Sequence, residues 1–168
     1  MLQEYETGAA LLLLRLWSET EERRGTRIAP SRIPGAGLGL FATQDFSEGD
    51  LICVYFGASL GTAQAIRLQD KAYLMRLGAD AYVDAGFFPC CSARYINDCR
   101  NPLGHNCRFE KIPERRSAEV RAVRRIPRGS ELYASYGRWY WLAQPSSRLS
   151  LRDLILQDQA MSEQRAEA

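Results

Sequence analysis

Ile33-Pro34-Gly35-Ala36-Gly37-Leu38-Gly39-Leu40-Phe41-Ala42 is the stretch whose reading decides the fold of this chain. Pro34-Gly35 punctuates a turn, and glycine at 35, 37 and 39 strips side chains from a backbone that has to bend sharply. Leu38 to Ala42 follows as a short apolar piece. The same mixture continues on both sides, from Thr26 to Asp50, with Pro30 and Gly49 as further breaks. It predicts short strands joined by tight turns.

Working outward, Leu51 to Phe56 is apolar throughout and predicts a buried strand ending at Gly57. On the amino-terminal side, Ala9 to Arg24 sets leucines and Trp17 on an apolar side and Glu19, Glu21, Glu22, Arg23 and Arg24 at a wet end. That is the pattern of a helix, stopped by Gly25. Thr62 to Leu77 predicts a helix followed by a strand around Tyr73 to Leu77, and Ala81 to Asp84 another extended piece. Arg94 to Asn97 opens a segment with a polar interior. Glu119 to Ile126 alternates as a strand does, with Arg128-Gly129 as its turn, and Leu132 to Tyr136 is a last short element. Ser150 with Asp153 caps a terminal helix lined by Leu151, Leu154 and Ile155. Many short strands with helices only at the edges make an α+β, β-rich domain.

The chain has 168 residues, 46% hydrophobic and 25% charged, which suits one globular core. A net charge of +2 excludes a protein that grips nucleic acid through its overall charge, though it leaves room for a local basic face. Five cysteines, at 53, 90, 91, 99 and 107, are an odd number without a secretory signal. They argue against a disulfide framework and for a reducing compartment, nuclear or cytoplasmic and not secreted. The apolar run Ala9 to Leu14 follows Glu4 and Glu6 and is far shorter than the roughly 20 residues of a membrane span. Cys90, Cys91, Cys99, His105 and Cys107 lack paired CxxC spacing, so no metal site is expected. Small buried cysteines and an exposed histidine are the better reading.

Three separated stretches share an order and spacing that a lone glycine loop would not have. The first is the opening stretch with Phe46, Gly49-Asp50, Leu51-Ile52 and Tyr55-Phe56-Gly57. The second is Tyr82-Val83-Asp84-Ala85, then Ala93-Arg94-Tyr95-Ile96-Asn97-Asp98-Cys99-Arg100-Asn101-Pro102 and Asn106-Cys107. The third is Ile126-Pro127-Arg128-Gly129-Ser130-Glu131-Leu132, ending in Tyr136-Gly137. Together they resemble the SET domain family of protein lysine methyltransferases. The resemblance implies small twisted sheets around a knot-like crossing beneath the Asn97 loop, with the SET domain at 26–141 and helical segments at 1–25 and 142–168.

Such a protein moves a methyl group from S-adenosylmethionine to a lysine amine, leaving S-adenosylhomocysteine. A free lysine with a pKa near 10.4 is neutral in only about one molecule per thousand at neutral pH, roughly 4 kcal/mol against reaction. A neighbouring sulfonium and a dry channel lower that pKa. By resemblance, Tyr136 is the catalytic tyrosine, and Tyr55 a second tyrosine lining the lysine channel. Ala36, Gly37 and Leu38 bring backbone close to the cofactor, where glycine leaves no side chain in the way. Asn97 can donate and accept hydrogen bonds to the adenine edge or the amino-acid end, with Asp98 beside it. Trp139, Tyr140 and Trp141 follow Tyr136 where the family closes over the cofactor; Trp139 and Trp141 are candidates to stack on adenine.

The chain departs from the family pattern at specific positions. Asn97-Asp98-Cys99 stands where an asparagine-histidine-serine triplet is usual, and Leu103-Gly104-His105 lengthens the loop before Asn106. Ala134 takes the place of a bulky aromatic, which widens the substrate channel toward higher methylation, with Phe109 lining the same space. No cysteine follows Cys107, so the zinc cluster of many relatives is not expected. The resemblance names a histone tail first among substrates; a non-histone protein and a catalytically silent interaction module are the rivals. Arg108 to Arg128 is locally basic and predicts a solvated hairpin face, part of which could touch nucleosomal DNA.

Overall fold

In the computed structural model, residues 25–143 are described, and the chain divides into two compact units, Met1–Ser135 and Tyr136–Ala168. In chain order the first unit contains β1 (Thr26–Pro30), β2 (Leu38–Ala42), β3 (Leu51–Tyr55), β4 (Ala58–Leu60), α1 (Thr62–Arg67), β5 (Leu74–Arg76), β6 (Tyr82–Asp84), β7 (Cys107–Ile112) and β8 (Ser117–Ala122). A 3-10 turn spans Ser92–Tyr95. The second unit contributes α2 (Arg138–Ala143).

The strands form three small antiparallel sheets, ordered β1-β2, β3-β8-β7 and β4-β6-β5. Thr26 faces Ala42 and Pro30 faces Leu38, so the glycine-spaced loop closes the first hairpin. β8 shows why its sequence makes a half-buried strand: Ala118, Val120 and Ala122 turn inward at 0%, 0% and 1% exposure while Ser117, Glu119 and Arg121 turn outward. The β-rich architecture expected from the sequence is present, as are the helix and strand between Thr62 and Leu77 and the strand before Asp84.

β3 corrects one expectation. It is an edge strand, with Leu51 47% and Val54 38% exposed, and only Ile52 and Tyr55 are buried. A register shift between Leu51 and Cys53 breaks its alternation, so an unbroken apolar run concealed a strand with one wet face. The expected element at Leu132 to Tyr136 is no strand of a sheet. Glu131 instead bridges Phe41, and Tyr133 bridges Asn97 in parallel. The amide of Leu132 donates to Leu40 O (2.8 Å), and Tyr133 O accepts from Asn106 N (3.0 Å). This segment is thus bonded on both flanks and packs Leu132 and Ala134 into a core with Leu40, Ile96, Val120 and Ile126. The helices expected at Ala9 to Arg24 and from Ser150 lie outside the described residues. Among the described residues, no helix is long and apolar enough to cross a membrane.

Candidate functional site

The loop between β1 and β2 is drawn into a tight turn by bonds from Ser31 N to Gly37 O (2.8 Å) and from Ala36 N to Ile33 O (3.1 Å). Gly35 and Gly37 have φ of 78° and 72°, and a Cβ on either would meet nothing within 4 Å. Glycine is needed there for the left-handed backbone, and the space above it is open.

Asn97 follows the 3-10 turn and ties two of the quoted stretches to its own. Its Nδ2 donates to Leu38 O at 3.0 Å, and its backbone oxygen accepts from Ala134 N at 3.0 Å. Leu38, Asn97 and Ala134 are therefore brought together, although they come from segments far apart in the sequence. Leu38 is 49% exposed and Ala134 fully buried.

Beneath this junction lies an acid that no local sequence signal marks. Glu131 is 1% exposed. Its Oε1 accepts from Ser31 Oγ (2.6 Å) and from Asn97 Nδ2 (3.4 Å), and its Oε2 from Arg32 N (2.7 Å) and Tyr133 Oη (2.8 Å). Burial raises the carboxyl pKa, but the bonds from Ser31, Arg32, Tyr133 and Asn97 outweigh it and hold the group below its ordinary value. Burial, and then the bond to Glu131, push the Tyr133 hydroxyl up to about 12, so it remains a donor. The bonds from Ser31 and Arg32 come from about a hundred positions away, so no local pattern around Glu131 announces its burial.

Asp98 is buried beside this junction, its side chain 4% exposed, and its Oδ1 lies 2.9 Å from His105 Nε2 and accepts from Arg100 N at 2.8 Å. His105 is 18% exposed and not a surface histidine as expected. The longer loop carries it back onto Asp98, where Arg124 Nε donates to its backbone oxygen at 3.2 Å.

Tyr55 and Phe109 also meet, edge to face, with ring centroids 5.8 Å apart at 89°. The Tyr55 hydroxyl donates to Tyr73 O at 2.6 Å, and the residue is 5% exposed. Arg94, to which the motif gives no role, sets its guanidinium 3.8 Å from the Tyr73 ring centroid and donates to Ala85 O and Gly86 O, both at 2.9 Å. The thiols of Cys91 and Cys107 are raised by burial to about 11 and about 12, which makes them packing residues and not nucleophiles.

In the second unit, Tyr136 stacks on Trp141 at 5.8 Å and 16° and meets Tyr140 edge-on at 4.6 Å and 71°. Trp139 belongs to the same helix, α2.

A SET domain model matches residues 37–137 of the chain. Histone-lysine N-methyltransferase trr of Drosophila melanogaster is 33% identical over 126 residues, which cover 69% of this chain. The aligned part is 5% of that relative's length.

Proposed function

The chain belongs to the SET domain family, and from that premise we propose that it is an S-adenosylmethionine-dependent protein-lysine methyltransferase acting on a histone tail in the nucleus. Within the matched span, the observation that carries the reading is Asn97 bonded at once to Leu38 and Ala134. A loop that presents backbone, an amide side chain and the buried segment before Tyr136 are linked there by hydrogen bonds. We take 26–141 as the SET domain and 1–25 and 142–168 as its flanking segments.

The residues present fit the cofactor. The space over Gly35 and Gly37 lets the backbone of Ala36, Gly37 and Leu38 approach a bound molecule without a side chain between. Asn97, next to Asp98 in sequence, bonds that loop at Leu38; within the second unit, Tyr136 and Trp141 stack on each other, and the family resemblance gives Tyr136, Trp139 and Trp141 the role of holding the cofactor. When bound, S-adenosylmethionine supplies an electrophilic methyl group on a positive sulfonium.

In this reading the Tyr136 hydroxyl holds the lysine amine by a hydrogen bond and orients its lone pair. Tyr55 and Phe109 form an aromatic wall that excludes water, which favours the neutral amine. By the family resemblance, alanine at 134 in place of a bulky aromatic favours more than one methyl group. Asp98 in place of the family histidine, its carboxylate taken up by His105, supports a second reading, a module that binds proteins without catalysis. Calorimetry with S-adenosylhomocysteine separates the two: the methyltransferase binds it and the silent module does not.

A further inference from the structure

The basic stretch Arg108 to Arg128 does not present its arginines equally. Arg121 pairs with Glu119 at 2.5 Å and Glu110 at 3.2 Å, and Arg108 pairs with Glu110 at 2.5 Å. Arg116 donates to Leu60 O and Asp80 O at 3.1 and 3.0 Å. These cations already have carboxylate or carbonyl partners, Arg108 at the surface with its side chain 60% exposed.

A different trio gathers on the β1–β2 hairpin and the turn at Gly129. The guanidinium carbons of Arg27 and Arg32 lie 5.5 and 5.4 Å from the centroid of one ring, that of Phe41. Arg32 is further fixed by a bond from Nη2 to Gly129 O at 2.9 Å. Arg27 and Arg128, with Ala42, Thr43 and Gly129, line a hollow of about 560 Å³. Among the described residues, none of the three arginines is in an ion pair. The neighbouring carboxylate, Asp45, already accepts from Arg125 Nη2 (2.8 Å) and Arg128 N (2.9 Å).

The geometry points to this hollow as a seat for a backbone phosphate of nucleic acid. Arg27 and Arg32 at one ring, with Arg128 sharing the hollow with Arg27, concentrate positive charge that an arriving anion relieves. The Phe41 ring holds the guanidinium groups of Arg27 and Arg32, and Gly129 O fixes Arg32 further, so less side-chain entropy is lost when their N–H groups fork onto phosphate oxygens. A phosphorylated peptide would need walls that grip its neighbouring side chains, and Ala42, Thr43 and Gly129 offer little of that. The inference stands apart from the methyl-transfer reading.

The test is fluorescence anisotropy of the full chain with a short duplex DNA across a salt series. Three phosphate contacts give a log–log slope of at least about −2.7, and the Arg27→Gln/Arg128→Gln protein loses about 1.8 of it. The thermal midpoint of that variant should match the parent. Lys111→Gln/Arg115→Gln, at the turn end of the β7–β8 hairpin and outside the lining of the hollow, should leave the slope unchanged. The proposal is overturned by a parent that does not bind DNA, by an Arg27→Gln/Arg128→Gln slope equal to the parent's, by a greater loss in the hairpin variant, or by a phosphoserine peptide binding this face more tightly than DNA.

Discussion

The carboxylate of Glu131 occupies the space that a Cβ on Gly39 would need. A methyl group there would collide with Oε1, lie 2.9 Å from Cδ and press on Ser31 Cα at 3.3 Å. Gly39 is glycine because a buried acid lies against it, whereas Gly35 and Gly37 are glycine for their backbone angles. Two reasons for the same residue thus operate within five positions.

Gly39→Ala should accordingly destabilise the protein by about 1–3 kcal/mol through overpacking. At about 2–4 °C per kcal/mol for a chain of this size, a thermal melt resolves the change. Gly35→Ala should also destabilise, through its positive φ, but without disturbing Glu131.

Glu131→Gln keeps the shape and removes the charge that receives bonds from Ser31, Arg32, Tyr133 and Asn97. A loss of about 2 kcal/mol is expected at neutral pH, read from the urea midpoint. The pH dependence has a definite sign. Because the folded-state pKa is held below the ordinary 4.5, the unfolded chain binds the proton more readily, and the contribution present above 4.5 is lost as pH falls through the folded value. Acidification from neutral to about pH 3 should narrow the gap between parent and variant.

His105→Ala removes a partner from a carboxylate that is 4% exposed, and about 1–3 kcal/mol of stability should go with it. His105→Gln should restore part of that. If the Asn97–Asp98 segment borders the cofactor, His105→Ala also weakens S-adenosylhomocysteine binding in calorimetry; unchanged affinity would separate the pair from the cofactor.

Much of this arrangement was legible in the letters, and the exceptions share a physical cause. The turn at Gly35 and Gly37, the strand flanking it and the stretch around Asn97 carry local signals: glycine spacing, alternation and motif order. Glu131 carries none, since its burial depends on Ser31 and Asn97 arriving from elsewhere in the chain. His105 looked exposed for the same reason, because a histidine in a polar loop does not reveal that the loop folds back onto Asp98. Leu51 to Phe56 misled in the opposite sense: six apolar letters in a row hide which of them face water on an edge strand. The bonds of Asn97 to Leu38 and Ala134 join residues of all three quoted stretches, but no local letter marks Glu131 as the acid beneath them.

Tyr136→Phe offers the most direct test of the central claim, because phenylalanine retains the ring that stacks on Trp141 at 5.8 Å and loses only the hydroxyl. Parent and variant are incubated with S-adenosylmethionine and lysine-bearing histone-tail peptides, and the products are weighed by mass spectrometry. The account predicts methylated lysine from the parent and a rate lower by roughly 10²–10⁴ from the variant, at an unchanged thermal midpoint. Equal methylation by both proteins, or none by a parent that binds the cofactor, would contradict it.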